Sequence, residues 1–460
     1  MNDRIHGDTS KEMVLLVATM ASFLFPFMGS AVNIALPTIG RELSLDTVTL
    51  SWIATAYILA SATLLIPFGR IADIYGRKRV FTYGIIIFTV SSLLLGITSS
   101  STVIISFRVL QGIGGAMIAG TGVALLTSVY PANEIGKALG INVAATYAGL
   151  SLGPVLGGVL TQHFGWRSIF FINVPLGLLV IGVTLWKLKG DWAGAKGEKF
   201  DFAGSIIYSL TLVSSVYGFT ILPAMLGIWL IVAGAIGLSA FVKWEMKTRT
   251  PILDIKLFRN SRVFTFSNLA ALINYCATFA VAFLISLYLQ YIKGLNPQSA
   301  GLILVTMPAV QAILSPAAGW LSDKIEPRAL ASAGMALTTT GLVLFTFLNG
   351  DTQLEFIIAG LIVLGVGFAL FSAPNTNAVM SSAPKRAYGV ASATLATMRQ
   401  VGMVLSMGIV MLMFALYIGR VQITPEHYPL FLESVKTSFI IFAILCFIGI
   451  FASLARGKVR

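Results

Sequence analysis

The chain has 460 residues, 57% of them hydrophobic and 11% charged, with a formal net charge of +13. Soluble domains carry about 25% charged residues, so there is too little polar surface here to cover a water-facing globule of this length. The basic surplus does not point to nucleic acid, and no nucleic-acid partner is expected, because it is spread over many short segments rather than gathered on one face or tail.

A chain in lipid must satisfy its own backbone, which leaves helices and closed barrels. Barrel strands alternate over about 10 residues, whereas the apolar runs here are about 20 residues long, the length of a helix that crosses a bilayer. Fourteen spans are predicted, at about 13–39, 47–69, 80–98, 102–129, 137–160, 168–187, 201–221, 225–243, 264–290, 298–320, 329–348, 354–381, 388–418 and 433–455. Residues 1–12 are polar and no small-residue cleavage site follows a short apolar core, so no cleavable signal peptide is expected. Of the 31 Lys and Arg, about 24 fall on the side of the N-terminus, about 5 on the other and 2 within spans. That asymmetry predicts cytoplasmic N- and C-termini in a multi-pass protein of the cell (plasma or inner) membrane. Cys276 and Cys446 lie inside predicted spans and imply neither a disulfide framework nor a metal site.

In chain order, span 1 carries Asn33-Ile-Ala-Leu-Pro37 and span 2 carries Trp52-Ile-Ala-Thr-Ala-Tyr57. The run GRIADIYGRKR, Gly69 to Arg79, follows. Pinned between two spans, it must be a polar loop, and Gly69, Asp73, and Gly76 before Arg77, Lys78 and Arg79 suggest a tight cationic turn. Span 4 holds Arg108-Val-Leu-Gln-Gly-Ile-Gly-Gly-Ala116, with the arginine about two turns from its start. A charge inside a span faces a cavity or a partner, or snorkels to the interface. Gly112, Gly114 and Gly115 allow close helix packing, and without a preceding strand they are not a dinucleotide loop. In span 5, Gly149-Leu-Ser-Leu-Gly-Pro-Val-Leu-Gly-Gly158 combines a helix-bending proline with glycines that admit a neighbour. The stretch from Lys187 to Asp201 reads as a cytoplasmic linker into two extra spans.

The second half echoes the first. Gly69-x-x-x-Asp73 recurs as Gly319-x-x-x-Asp323, and the segment from Gly136 recurs from Gly389, which sets Gly402 on Gly149. The expected fold is therefore an all-α membrane protein of 14 transmembrane helices, two six-helix bundles in parallel repeat with two extra central helices. The expected division is 1–187 for the first bundle, 188–262 for the linker and inserted helices, and 263–460 for the second bundle.

Polar groups inside the spans are either cavity lining or helix-to-helix contacts. They include Asn33, Tyr57, Gln111, Asn142, Tyr147, Asn274, Tyr275, Gln311, Asn375 and Asn377. At about 1.5 Å per residue, Arg399 lies about 16 Å into span 13. An arginine does not release its proton but can pair bidentately with an anion. Alternatively, Arg108 and Arg399 are neutralised by backbone carbonyls and by amides such as Gln111 and Asn142. Trp166 and Trp229, at span ends, are expected in the interfacial belt.

The pattern G-x-x-x-D-x-x-G-R-R/K at Gly69 to Lys78 resembles the loop between helices 2 and 3 of the major facilitator superfamily. Gly149 to Gly158 resembles the G-x-x-x-G-P-x-x-G-G signature found mainly in its exporters. With fourteen spans, the whole chain resembles the drug:proton antiporter branch of that superfamily. The resemblance implies a secondary transporter rather than an enzyme, without a cofactor, exporting drugs or other amphiphilic small molecules by alternating access. It also implies a proton gradient as driving force, monomeric function, and a substrate site near midplane between the halves. On this reading Gly69, Asp73, Gly76, Arg77, Arg79, Gly149, Gly153, Pro154 and Asp323 serve gating, the Asp73 loop bracing the two halves on the cytoplasmic side. Asn33, Tyr57, Arg108, Gln111, Asn142, Asn274, Gln311, Asn375 and Arg399 are the substrate-site candidates.

One position departs from the pattern. Multidrug antiporters of this branch usually carry an acid in span 1, nine positions before the proline of the A-L-P motif, and here Met28 stands there. The predicted spans hold no mid-depth carboxylate, since Asp201 and Glu355 are at span ends and Asp73, Glu134 and Asp323 are near loops. This leaves a second reading, an exporter or uptake carrier of anionic or neutral metabolites without a membrane-embedded proton carboxylate. No P-loop, metal-spaced cluster or nucleophile–base pair favours a pump or an enzyme.

Overall fold

Apolar runs of this length fold as helices because only a helix satisfies every backbone group within its own segment. The computed structural model describes residues 10–457, apart from 132, 133, 249, 254 and 384–387. Among the described residues, fourteen helices are long and apolar enough to cross a membrane. The first six are α1 (Lys11–Glu42), α2 (Thr47–Tyr75), α3 (Arg77–Ile97), α4 (Ser101–Val129), α5 (Ile135–Phe164) and α6 (Ser168–Lys187). An inserted hairpin follows, α7 (Phe202–Thr220) and α8 (Met225–Lys247). The second set is α9 (Arg262–Ile292), α10 (Pro297–Ser322), α11 (Pro327–Phe345), α12 (Leu354–Ser381), α13 (Val390–Tyr417) and α14 (Pro425–Ala455). With an even number of crossings, both ends of the described chain lie at the same end of the bundle as the Gly69–Arg79 loop, here termed the basic end.

Several helices start at side-chain caps that the sequence supplies. Asp46 Oδ1 accepts from the backbone N–H of Val48 at 2.9 Å and of Thr49 at 3.0 Å at the start of α2. Ser261 accepts from Phe264 N–H at 3.1 Å before α9, and Asn296 from Ser299 N–H at 2.8 Å before α10. Such caps satisfy donors that the helix itself leaves open.

Glycines set the helix crossings, and the crossings repeat. A Cβ at Gly149 of α5 would overlap the Phe23 carbonyl of α1, and one at Gly402 of α13 would overlap the Leu272 carbonyl of α9. Gly114 of α4 lies against the Gly84 carbonyl of α3, as Gly367 of α12 lies against the Gly334 carbonyl of α11. The same pairs of helices are thus pressed together at the same depth in each six-helix bundle, as a parallel repeat requires. The hairpin lies outside both bundles. On α7, Tyr208 Oη donates to the Ala62 carbonyl of α2 at 2.9 Å, and Ser209 to that of Thr63 at 3.2 Å. The outer face of α8 is apolar and exposed at Leu226, Trp229 and Ile236, a surface suited to lipid.

Two expectations are corrected. Trp166 is not in an interfacial belt; it is 1% exposed, its Nε1 donating to Glu42 Oε2 at 2.7 Å. The eighth span does not stop at 243 but runs to Lys247, which brings Glu245 into the helix.

Adding a side chain where backbones touch forces the helices apart and costs about 1–3 kcal/mol. Gly114→Val is therefore expected to lower the melting temperature in detergent and broaden the size-exclusion peak. Gly136→Ala, with open space around its Cβ position, is expected to leave both unchanged.

Candidate functional site

The Gly69–Arg79 loop is built from two helix ends back to back. Gly76 ends α2 and begins α3 with φ +124°, a conformation that favours glycine. Asp73 is held by Arg77, Nε to Oδ1 at 2.8 Å, and Arg77 Nη1 donates to the Ala124 carbonyl at 3.0 Å and to Ser128 Oγ at 2.7 Å. The loop's other partner is the linker. Arg77 N–H donates to the Trp192 carbonyl at 2.8 Å, Ala195 N–H to the Asp73 carbonyl at 2.8 Å, and Lys78 N–H to Asp191 Oδ1 at 3.0 Å. Arg79 approaches Asp191 at 3.5 Å, and Arg70 pairs with Glu198. Every one of these contacts stays on the first bundle and its linker. Asp323, the counterpart in the second bundle, accepts from Asn377 Nδ2 at 3.2 Å.

In the first bundle the polar candidates satisfy one another. Arg108, 1% exposed, donates from Nε to the Ile53 carbonyl at 2.9 Å and from Nη1 to Gln111 Oε1, and stacks 4.2 Å from the centre of the Tyr57 ring. Gln111 Nε2 donates to Ser92 Oγ at 2.8 Å, and Tyr57 Oη to the Phe25 carbonyl at 3.0 Å. Asn142 is not part of this group; its Nδ2 donates to Ser22 at 2.8 Å. A carbonyl, an amide and a ring face thus surround the guanidinium.

The second bundle is different. Arg399 donates to Thr376 Oγ1 at 2.6 Å and lies 5.5 Å from the Tyr275 ring centre, but its Nε is buried without a partner. Asn375 Nδ2 donates to the Ser267 carbonyl at 3.1 Å, leaving Oδ1 unpartnered. Asn274 is fully buried with both amide atoms unpartnered, and the Oε1 of Gln400 has no partner either. Buried polar groups are normally hydrogen-bonded, so α9, α12 and α13 carry hydrogen-bonding capacity that the fold leaves open. Gln311 is buried on α10.

The bundles are joined at the end opposite the basic loops. Ser286 Oγ donates to the Asn33 carbonyl at 2.7 Å, Gln290 Nε2 to that of Ile34 at 2.9 Å, and Arg41 to that of Gln290 at 3.1 Å. Thr47 donates to the Gly419 carbonyl at 2.7 Å. The span-5 signature takes part with a division of labour. Gly149, Gly153 and Gly157 face α1, whereas Pro154 and Gly158 meet Gly301 and Pro297 of α10 in the other bundle. At mid-depth Gln400 reaches Ser61 at 3.4 Å and Thr55 donates to Met411 Sδ at 3.4 Å. The contacts of the Gly69–Arg79 loop, by comparison, run to α4 and to the linker.

The family model described as Major Facilitator Superfamily matches residues 18–407 and 267–459. The chain belongs to the major facilitator superfamily. It is 31% identical over 445 residues to the riboflavin transporter RibZ of Clostridioides difficile, covering 96% of each chain. It is 30% identical over 405 residues to the multidrug resistance protein Stp of Mycobacterium tuberculosis, covering 85% of this chain and 74% of that one. Among solved structures, a bacterial homologue of the human lysosomal transporter Spinster shares its fold, with TM-score 0.72 and 16% identity over 97% of both chains. The chain is thus a multi-pass membrane protein of a transporter superfamily, and it resembles the superfamily's drug-efflux members.

Against that superfamily pattern, Met28 is fully buried inside the first bundle, where Asn173 Nδ2 lies 3.2 Å from its sulfur. The buried carboxylates among the described residues are Asp201 and Glu245, at the basic end of the hairpin. Asp201 caps α7 through Gly204 N–H at 2.9 Å and accepts from Trp244 Nε1 at 3.0 Å, while Glu245 Oε2 accepts from Leu253 N–H at 2.9 Å. Glu245 escaped the sequence reading because it was placed two residues beyond a span. Arg456, just past α14, is also fully buried; burial pulls its pKa down to about 10, so it stays charged at neutral pH, and its Nε donates to the Ser453 carbonyl at 2.8 Å.

Arg108 is held by the Ile53 carbonyl and Gln111, so Arg108→Ala leaves Gln111 Oε1 buried without its donor and empties the space beside the Tyr57 ring, at about 1–3 kcal/mol. The expected result is a lower melting temperature in detergent, with substrate affinity of the folded fraction unchanged.

Proposed function

We propose that this protein is a secondary active exporter of amphiphilic small molecules that works by alternating access and draws on the proton gradient. Its basic end, with both termini, faces the cytoplasm of a cell whose plasma or inner membrane it spans, and it acts as a monomer without a cofactor. The observation that carries the reading is the one-sided closure. Hydrogen bonds and glycine contacts tie the bundles together opposite the basic end, whereas the contacts of Asp73, Arg77 and Lys78 stay within the first bundle and its linker. Such a pair of bundles, 1–187 and 263–460, can rock about the joined end, and a site between them is then reached from one side at a time. Loop contacts at Gly69, Asp73, Gly76, Arg77, Arg79 and Asp323 and the packing of Gly149, Gly153 and Pro154 gate this movement. Substrate selection falls to the groups whose hydrogen bonds are incomplete, Asn274, Asn375 and Arg399, with Asn33, Asn142 and Gln311 completing the lining. Tyr57, Arg108 and Gln111 hold the first bundle in shape.

A second reading concerns charge. Binding a cation in a low-dielectric site favours an opposing carboxylate, and Met28 stands where the branch usually has one. The kinship with a riboflavin transporter across 96% of both chains supports a neutral or anionic heteroaromatic metabolite.

Both readings are separated by transport into reconstituted vesicles under an imposed pH gradient, using cationic, neutral and anionic amphiphiles with riboflavin among the neutral ones. Proton-driven movement of the cationic compounds supports a multidrug exporter. Movement of neutral or anionic compounds alone supports the second reading, and no movement of any against its gradient rejects both. In the same assay Asp73→Asn is expected to cut turnover about tenfold or more while the protein still folds and inserts, since the loop is outside the core; normal turnover would remove the gating role. Arg399→Ala is expected to weaken anionic compounds more than neutral ones, and equal loss for both would mark the arginine as structural.

A further inference from the structure

The inserted hairpin packs along both bundles, yet its attachments differ in kind. Toward the first bundle it is fastened at three depths. At the basic end the linker that leads into α7 is clasped by the Gly69–Arg79 loop. The first turn of α3 has no side-chain cap of its own, and the linker supplies what is missing: the Trp192 carbonyl accepts from Arg77 N–H at 2.8 Å and Asp191 Oδ1 from Lys78 N–H at 3.0 Å. A cap donated from another segment fixes that segment to the helix. At mid-depth, Tyr208 and Ser209 donate to the carbonyls of Ala62 and Thr63. Near the opposite end the Trp52 and Tyr217 rings lie 6.1 Å apart. The hairpin is also stapled within itself at the basic end, where Trp244 of α8 donates to Asp201 at the start of α7.

Toward the second bundle the contact is of another type. The Phe219 ring lies against Gly408 of α13, with the nearest atoms 3.6 Å from the position a Cβ would take there. Among the described residues no hydrogen bond or ion pair joins α7 or α8 to α9–α14. Apolar contact against a glycine is non-directional and resists sliding far less than a set of hydrogen bonds in a dry site.

We infer that the hairpin α7–α8 is a rigid part of the first bundle's moving unit, and that the Phe219–Gly408 contact is the seam along which this enlarged unit slides against the second bundle. The inference rests on the alternating-access reading above. It makes Asp191 and Tyr208 positioning residues of the transport cycle.

Two crosslinks in the full-length protein test it by transport in vesicles. Phe219→Cys with Gly408→Cys places the two Cβ atoms at about the 3.9 Å found between Phe219 Cβ and a Cβ built on Gly408, within the range a disulfide needs. Oxidation is expected to stop turnover, and reduction to restore it. Thr63→Cys with Ser209→Cys, bridged by a short bis-methanethiosulfonate, is expected to leave turnover within about twofold of the unbridged variant. Cys276 and Cys446 are buried and serve as the unreactive background. Arrest by the 63–209 bridge together with free turnover of the 219–408 disulfide overturns the inference by assigning the hairpin to the second bundle. Arrest by both also overturns it, since the hairpin would then move against each bundle. Free turnover with both bridges formed overturns the alternating-access reading at this seam and the inference with it. Where a cysteine pair does not fold, spin labels read the same point. The distance from Ile206 to Tyr83 is expected to stay single with and without substrate, and that from Ile206 to Ile440 to split into two populations; the reverse pattern overturns the assignment.

Discussion

Backbone touching backbone at a small set of glycines is the constraint on which the rest of this structure depends. In lipid, two helices gain little from burying apolar side chains, because the surrounding tails are as apolar as leucine. Close approach is what holds them, and it is available only where no Cβ intervenes. Gly112 beneath the Tyr57 carbonyl, Gly114 beside Gly84, Gly149 under the Phe23 carbonyl and Gly402 under that of Leu272 are such points. They fix which side chains share a layer. Arg108 meets the Ile53 carbonyl because Gly112, one turn on, brings α4 hard against α2. On α5 the glycine run gives two faces to one helix. Gly149, Gly153 and Gly157 bind it to its own bundle, and Pro154 and Gly158 present it to the other. That helix is both a bundle member and a contact across the divide.

The polar groups show the consequence of that packing. In the first bundle, Arg108, Gln111, Ser92 and Tyr57 form a closed chain of donors and acceptors. In the second, Arg399, Asn375, Asn274 and Gln400 keep atoms without partners. Single hydroxyl and carbonyl oxygens of Thr19, Ser151, Thr161 and Asn173 are unpartnered in the first bundle too, but there they are not gathered around an arginine. The two bundles are alike in backbone and differ in how the arginines inside their spans are partnered.

Much of the fold was legible in the sequence because its signals are local. Span lengths, the Gly69 and Gly319 repeat and the glycines of α5 depend on neighbours a few residues away. What was not legible depends on groups far apart in the chain. Trp166 looks interfacial until Glu42, 124 residues earlier, accepts its indole N–H. Glu245 looks like a loop residue because Lys243 signals the end of an apolar run, yet α8 continues past it and the Leu253 N–H meets its carboxylate. Asn142 was grouped with Arg108 on polarity alone, whereas helix rotation turns it toward Ser22. Of the residues in the Gly69–Arg79 loop, the sequence conveyed their charge and their turn, but not that the linker would be their partner.

That partner bears on why the two equivalent loops differ. After α2, the loop keeps its full basic tail and the linker occupies it, Asp191 and Trp192 taking the first N–H groups of α3. After α10, the tail is replaced by Glu326, Pro327 and Arg328, and α11 begins at Pro327, which has no N–H to offer at that position. A helix start with one fewer open donor has less need of a cap from elsewhere. Where the chain passes into the two additional helices, the donors and cations of the first loop hold the linker. In the other bundle Asn377, through Ser322 at 3.1 Å and Asp323 at 3.2 Å, ties the turn to α12.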